Sequence, residues 1–155
     1  MCRYVKNIRE KQEYLREVVT LTRLEWGNKL DTQEEFNEKV NKKIQNIIKG
    51  FNNPYFSKLI LLDDKKLVGF ISLFESDGEE RLNLKPWYAT MYVKKEYRGN
   101  GYSKILNDAI LKEAKNRGFK KVYLKTELVN YYEKFGAIYV EDLRTGEKLY
   151  YIDIK

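Results

Sequence analysis

The chain has 155 residues with 30 lysines and arginines, 23 aspartates and glutamates, one cysteine and no histidine. This length is typical of one domain, so we expect a single domain over residues 1–155. The absence of histidine excludes Ser-His and Cys-His nucleophilic couples, histidine general bases and histidine-containing zinc sites.

The first third of the chain is predicted to be helical, after a short strand near residues 4–8. Residues 11–26 carry apolar side chains at helical spacing, and Gly27 follows where a C-terminal cap belongs. The run Thr32-Gln33-Glu34-Glu35 has the capping-box pattern that begins a helix. A second amphipathic helix is therefore predicted from there to Gly50.

The rest of the chain alternates between strand and helix patterns. Two β-rich runs joined by a polar turn predict a hairpin, and a third run completes an antiparallel meander. The predicted strands are residues 58–62, 67–74, 87–93, 122–125, 137–143 and 148–154, and the predicted helices are 100–117 and 129–135. This order predicts a mixed sheet with helices packed on its faces.

A glycine-rich loop joins the third strong strand to the long helix. Glycines at positions 99 and 101 let the backbone approach an anion closely, and the helix N-terminus offers unpaired N–H groups. The loop lacks the Gly-Lys-Ser/Thr of a P-loop and the third glycine of a dinucleotide fingerprint. The loop therefore predicts a pyrophosphate-binding site that is neither a P-loop nor a dinucleotide-binding loop.

The charge is unevenly distributed along the chain. Residues 94–121 contain nine basic and three acidic side chains, which is most of the net charge of +7. Residues 75–81 contain four acidic side chains and one arginine. The first segment suits a phosphate-bearing ligand and the second suits a cation, although charges that merely coat solvated surfaces would give the same pattern.

Two motifs carry a resemblance to a known family. Arg98-Gly99-Asn100-Gly101-Tyr102-Ser103 resembles the acyl-CoA-binding motif of the GNAT superfamily of N-acetyltransferases. Tyr131-Tyr132-Glu133-Lys134-Phe135-Gly136-Ala137 is similar to the family's short Tyr-Glu-Lys-aromatic-Gly helix. Together with the element order, the resemblance covers roughly residues 58–155. It implies an α/β (α+β) fold with a mixed, mostly antiparallel central sheet of about six or seven strands and about four helices.

The sequence departs from the family pattern at two positions. Ser103 replaces the usual small glycine or alanine. Lys125 stands seven residues before Tyr132, where many members carry an asparagine. Leu124-Lys125-Thr126 and Pro86-Trp87 are similar to a branch of the family that also lacks this asparagine.

The resemblance implies that acetyl-CoA is the cosubstrate. Its pyrophosphate would meet the backbone amides of the loop, and the fourth strand would offer backbone groups to the pantetheine as if to a further strand. The residues implied to bind the coenzyme are Met91, Tyr92, Val93, Arg98, Gly99, Asn100, Gly101, Tyr102, Ser103 and Lys104. No metal is implied.

The implied reaction is direct transfer of the acetyl group to a primary amine of a cationic small molecule or peptide. Tyr132 matches the family's general acid for the departing thiolate, with Tyr131 as the competing candidate. Glu75 and Asp77 are candidates for the base, with Glu25 and Glu127 as alternatives. Trp26, Trp87 and Tyr88 are candidates to line the acceptor pocket.

Other interpretations stay open at this stage. A non-catalytic acyl-CoA-binding domain would keep the same motifs, and a basic nucleic-acid-binding module would explain the charge but not the loop. The single Cys2 and the lack of an apolar stretch at the start predict a cytoplasmic protein without a membrane or nucleic-acid partner. The sequence is compatible with a monomer and with a small homo-oligomer.

Overall fold

A seven-stranded sheet organises the computed structural model, which describes residues 2–155. The strands are β1 (Arg3–Asn7), β2 (Ser57–Asp63), β3 (Lys66–Phe74), β4 (Trp87–Val93), β5 (Lys121–Thr126), β6 (Ile138–Asp142) and β7 (Lys148–Asp153). The helices are α1 (Leu15–Trp26), α2 (Gln33–Gly50) and α3 (Tyr102–Asn116). The strand order is β1-β2-β3-β4-β5-β7-β6, and every neighbouring pair is antiparallel except β4 and β5. The predicted mixed, mostly antiparallel sheet is confirmed.

The helices differ from the prediction in number and in one boundary. The described residues form three α-helices, and the fourth predicted helix is only a 3-10 turn, Tyr132–Phe135. Asn130 has a φ of 60°, which lies in the left-handed region, so a regular helix cannot run through it. Residues 11–14 also form no α-helix, because Lys11 has non-helical backbone angles, φ −137° and ψ 56°, and a 3-10 turn separates it from α1.

The start of α2 follows the predicted capping box. The Thr32 hydroxyl accepts a hydrogen bond from the Glu35 backbone N–H at 3.1 Å, and the Glu35 carboxylate accepts one from the Thr32 N–H at 3.1 Å. Two N–H groups that the first helical turn leaves free are thereby satisfied. This arrangement fixes where α2 begins.

The helices cover both faces of the sheet. Ile60, Leu62 and Phe70 pack against α1 and α2 on one face, and Leu61 and Ile71 pack against α3 on the other. Successive strand residues alternate between the two clusters because side chains of a strand point to opposite faces. Burial on both faces explains why β2 and β3 are nearly continuous apolar runs.

The pairing of β4 opens the sheet in its middle. β4 pairs with β5 at one position, Trp87 opposite Tyr123, and the two strands diverge beyond it. On its other side β4 pairs with β3, but the register shifts between Phe70 and Ser72, so β4 has an extra residue there. Thr90 lies in this bulge with a φ of 51°, which is unusual for a β-branched residue.

No helix among residues 2–155 combines the length and the apolar composition that crossing a membrane requires.

Gly69 in β3 gives a test of the packing beneath β4. A Cβ added there would overlap the Tyr92 carbonyl oxygen and lie 3.2 Å from a Leu106 methyl group. We expect Gly69→Ala to lower the free energy of unfolding by about 1–3 kcal/mol, measured by urea denaturation. Gly50→Ala is the control, because its Cβ would lie 3.6 Å from the nearest atom and alanine favours the helix. Equal stability of the two variants would contradict this packing.

Candidate active site

A large cavity lies where β4 and β5 diverge. This main cavity has a volume of about 1030 Å³. Its walls include the six consecutive residues 88–93 of β4 and, across the opening, Leu124, Lys125 and Thr126 of β5. The cavity is therefore a product of the strand divergence, and it runs along a backbone edge of β4.

The loop after β4 closes one end of the main cavity. Gly99 and Gly101 both line the cavity. Their φ values are 82° and 78°, which residues with a Cβ rarely adopt. A Cβ built on either glycine would meet no atom within 4 Å, so the space in front of the loop is open. This geometry leaves room for a ligand to approach the backbone of the loop.

The start of α3 supplies free donors at the same place. The first intrahelical hydrogen bond runs from the Ile105 N–H to the Gly101 carbonyl at 3.4 Å. The N–H groups of Tyr102, Ser103 and Lys104 precede it, so no carbonyl of the helix can accept from them. The first turn of α3 contains no acidic residue. These donors and the helix dipole suit an anion such as a pyrophosphate.

Three polar side chains of the loop have structural contacts. Arg98 lines the cavity, and its Nε donates to the Val93 carbonyl at 2.8 Å, which ties the loop to the end of β4. The Asn100 amide donates to the Tyr97 carbonyl at 3.0 Å, and the Lys104 ammonium pairs with Asp108 at 2.7 Å. Neither Asn100 nor Lys104 is among the residues that line the main cavity. Any contact of these two residues with a ligand would come from the backbone or the rim.

The remaining predicted coenzyme residues lie along the cavity as a continuous surface. Met91, Tyr92, Val93, Tyr102 and Ser103 all line it. The Tyr92 ring is stacked on Phe70 at 5.3 Å, which anchors this part of β4 to the core. The edge of β4 that faces β5 therefore borders the cavity, and the contact between Tyr92 and Phe70 holds it against the core.

Tyr132 lines the main cavity from the 3-10 turn after β5. Its ring packs edge-to-face against Tyr88 at 5.9 Å and against Tyr131 at 4.8 Å. Burial, with a smaller contribution from Tyr131, raises the pKa of Tyr132 to about 12. The phenol therefore stays protonated at neutral pH. Both tyrosines line the cavity, so the geometry does not by itself choose between them.

The two predicted base candidates lie in different places. Asp77 lines the main cavity, and burial raises the pKa of its carboxyl against the opposing effect of Lys125, whose nitrogen is 3.9 Å away. Glu75 does not line the cavity. Its carboxylate accepts hydrogen bonds from Asn53 and Lys85, both at 3.0 Å, and these bonds lower its pKa. The structure brings Asp77 to the cavity and leaves Glu75 outside it.

Four acidic side chains belong to the lining of the main cavity, and we refer to them together as the acidic wall. Asp77, Glu25, Glu127 and Glu147 all line the main cavity. Glu25 and Glu127 were alternative bases in the sequence interpretation, whereas Glu147 was not predicted, because it approaches only through the β6–β7 hairpin. Two further residues of the acidic segment have contacts elsewhere: Glu80 accepts from the Arg144 N–H and Arg81 pairs with Glu141.

A second cavity adjoins the main one on the other side of Thr90. It has a volume of about 280 Å³ and lies between α1, α2 and the sheet. Lys58, a buried residue of β2, lines it, and its ammonium donates to Ser72 Oγ at 2.6 Å. Thr90 Oγ1 donates to the same Ser72 oxygen at 2.9 Å. Burial, together with the nearby cation of Lys43, lowers the pKa of Lys58 to about 7.

Sequence reasoning missed this second cavity. Lys58 stands at the beginning of a predicted strand, where a lysine is normally solvated, and its burial depends on contacts with helices distant in sequence. Trp26 lines both cavities, as does Thr90, while Trp87 is buried in a separate apolar cluster. Of the three aromatic residues predicted for the acceptor pocket, Trp26 and Tyr88 line the main cavity.

The sequence profile of the acetyltransferase (GNAT) family matches residues 16–137. A curated relative, N-alpha-acetyltransferase 30 of Schizosaccharomyces pombe, is 33% identical over 88 residues, which are 54% of this chain and 57% of that protein. The match thus spans little more than half the length of that relative.

Solved structures share the fold over nearly the whole chain. An aminoglycoside 6'-N-acetyltransferase complexed with coenzyme A has a TM-score of 0.72 at 19% identity, covering 98% of this chain and 97% of that one. The PaiA N-acetyltransferase of Thermoplasma acidophilum, in complex with coenzyme A, has a TM-score of 0.65 at 20% identity, covering 99% of both chains. At these identities the similarity concerns the fold.

The buried Lys58 makes stability depend on pH. The folded chain releases the Lys58 proton near pH 7, whereas the unfolded chain keeps it to about pH 10.5, so the wild type gains stability between these values. We expect Lys58→Met to raise the free energy of unfolding by about 1–3 kcal/mol at pH 6 and by less toward pH 10.

Urea denaturation across this pH range measures the effect, with Lys42→Met, an exposed lysine of α2, as the control. A difference between Lys58→Met and the wild type that does not change with pH would contradict the lowered pKa.

Proposed function

The chain belongs to the GNAT acetyltransferase family, and from this membership we propose that it transfers the acetyl group of acetyl-CoA to a primary amine. The observation that carries the proposal is the continuous cavity between β4 and β5. It joins the anion-binding loop at the start of α3 to Tyr132. A coenzyme with a phosphate end and a thioester end needs both features in one cleft.

We propose that the loop and β4 hold the coenzyme. The open N–H groups at the start of α3 suit the pyrophosphate, and Arg98 holds the loop in place through its bond to the Val93 carbonyl. The free edge of β4 at Met91, Tyr92 and Val93 offers backbone groups to the pantetheine amides. When bound, acetyl-CoA supplies an activated acyl group. The chain's own residues orient it.

Tyr132 is our candidate for the general acid. Its pKa of about 12 means that it stays protonated at neutral pH and can donate a hydrogen bond or a proton to a departing thiolate. Its packing against Tyr88 fixes the ring within the turn. Tyr131 is the competing candidate, because its ring reaches the same cavity.

We propose that the acceptor amine binds beside the acidic wall. A primary amine is mainly protonated at neutral pH, so Asp77, Glu25 and Glu127 attract it and accept its proton before attack on the thioester carbonyl. We place Asp77 first because burial raises the pKa of its carboxyl, which makes it a better base than an exposed aspartate. Glu75 is a weaker candidate for the base than Asp77, because its carboxylate already accepts hydrogen bonds from Asn53 and Lys85.

A pair of tyrosine variants tests the acid. We expect Tyr132→Phe to lower kcat about 100-fold or more, because it removes the proton donor while keeping the ring. Tyr131→Phe, the matched control, should change kcat less than about threefold by the same reasoning. Thiol release from acetyl-CoA measures both variants. Turnover by Tyr132→Phe equal to that of the wild type would rule out Tyr132 as the acid.

A pair of glycine variants tests the loop. Gly101 and Gly118 have similar positive φ values, 78° and 88°, and neither has an atom near an added Cβ, so alanine costs both positions similar strain. Only Gly101 lines the main cavity. We expect Gly101→Ala to weaken coenzyme A binding at least about tenfold in calorimetry, because a Cβ keeps the phosphate from the backbone. Gly118→Ala should bind as the wild type does, and equal weakening in both variants would contradict the loop assignment.

A further inference from the structure

The second cavity has a basic lining. Its eleven lining residues are Val18, Val19, Thr22, Arg23, Trp26, Gly27, Lys43, Ile47, Lys58, Phe74 and Thr90. Three of them are cations and none is acidic. Arg23 pairs with Asp31 and Lys43 is exposed, so the uncompensated buried charge is that of Lys58. Such a charge is unfavourable unless an anion approaches it, because burial weakens its solvation.

Lys58 is the most buried of the three cations, at 3% exposure. Its nitrogen donates to the Ser72 hydroxyl and lies over the Phe70 and Phe74 rings at 5.3 and 5.7 Å. Within residues 2–155 no carboxylate forms an ion pair with it. A hydroxyl and two aromatic faces satisfy an ammonium only in part, so two of its three donor positions are available to a ligand.

Arg23 is a second cation in the lining of the same cavity, and one of its donors is buried. Its terminal nitrogen pairs with Asp31 at 3.0 Å, but its Nε is buried and has no hydrogen-bond partner among the described residues. An orphan buried N–H is rare in folded proteins and costs about 1–3 kcal/mol. Lys43 of α2 supplies the third cation.

The second cavity adjoins the main cavity, which contains the proposed reaction centre. Trp26 and Thr90 line both cavities, so they form the boundary between them. Glu25, which precedes Trp26 in α1, lines the main cavity. A small molecule that crosses the boundary meets cations at one end and carboxylates at the other.

We infer that the second cavity binds a carboxylate or phosphate group of the acceptor, so that the acceptor is a small zwitterion with an amine at one end and an anion at the other. Lys58, Lys43 and Arg23 hold the anionic group, and the amine points past Trp26 and Thr90 to the main cavity. This inference rests on the proposed function for its biological meaning. The anion site itself is a property of the cavity and can be measured without any turnover.

The volume agrees with a small group. About 280 Å³ is near the lower limit of small-molecule sites, which leaves no room for a nucleic acid or a folded partner. The inference also refines the expectation of a cationic acceptor. The acidic wall still attracts the amine, and the second cavity adds a requirement for negative charge elsewhere in the same molecule.

Anion binding can be tested by titrating acetate and inorganic phosphate, separately, into protein saturated with coenzyme A at constant ionic strength. Coenzyme A occupies the loop at the start of α3, so further anion binding reports on another site. Trp26 fluorescence is the readout, because Trp26 lines the second cavity and the other tryptophan, Trp87, is buried elsewhere. We expect saturable binding in the wild type, at least about tenfold weaker in Lys58→Met and in Lys43→Met, and unchanged in Lys42→Met.

The outcomes separate the possible ligands. Binding of acetate alone indicates a carboxylate acceptor, phosphate alone a phosphate acceptor, and both a site for either anion. No saturable binding in the wild type, or equal binding in the wild type and Lys58→Met, would overturn the inference. If coenzyme A itself does not bind, the proposed function fails. The anion site can still be tested by the same titration in the absence of coenzyme A, by comparing the wild type with Lys58→Met.

The pH dependence gives an independent readout with acetate. The groups that face Lys58 are Lys43 from α2, Arg23 from α1 and the hydroxyls of Ser72 and Thr90 from β3 and β4, and none of them is acidic. Because Lys58 loses its proton near pH 7, acetate affinity should fall at least about tenfold between pH 6 and 9. In Lys58→Met it should stay nearly constant. A wild-type affinity that does not change with pH would show that Lys58 does not hold the anion.

Discussion

The parallel pairing of β4 with β5 is the constraint on which the site depends. All other neighbours in the sheet are antiparallel and keep pairing along their length, whereas these two strands meet at Trp87 and Tyr123 and then diverge. The divergence leaves one edge of β4 without a strand partner inside an otherwise covered sheet. A ligand with its own amide groups can pair there, as an added strand does. The loop, Tyr132 and the acidic wall are arranged around that opening.

The bulge in β4 connects this opening to the second cavity. Pairing with β3 shifts by one residue around Thr90, which adopts a positive φ despite its branched side chain. Its hydroxyl bonds to Ser72, and Ser72 in turn accepts from buried Lys58. Strained residues of this kind persist where surrounding contacts hold them, and they are frequent at functional sites. A single hydrogen-bonded chain thus links the cavity wall to a buried cation.

Much of this architecture could be predicted from sequence because it depends on local signals. The Thr32–Glu35 capping box and the glycines of the loop act over a few residues, and the family motifs place acetyl-CoA on that loop by resemblance. The turn at Tyr132 was predicted as a helix, since the left-handed Asn130 before it has no clear sequence signal. The burial of Lys58 and the approach of Glu147 depend on elements far apart in the chain, which no local pattern encodes.

The proposed function requires a coenzyme to occupy the opening between β4 and β5. Hydrogen–deuterium exchange with and without acetyl-CoA tests it most directly. If acetyl-CoA binds there, exchange slows in peptides that contain residues 91–93 and 99–104. Exchange does not change in the peptide of β6, Ile138–Asp142, which lies at the far edge of the sheet. Unchanged exchange in the first two segments, at a concentration of acetyl-CoA that the protein binds, would contradict it.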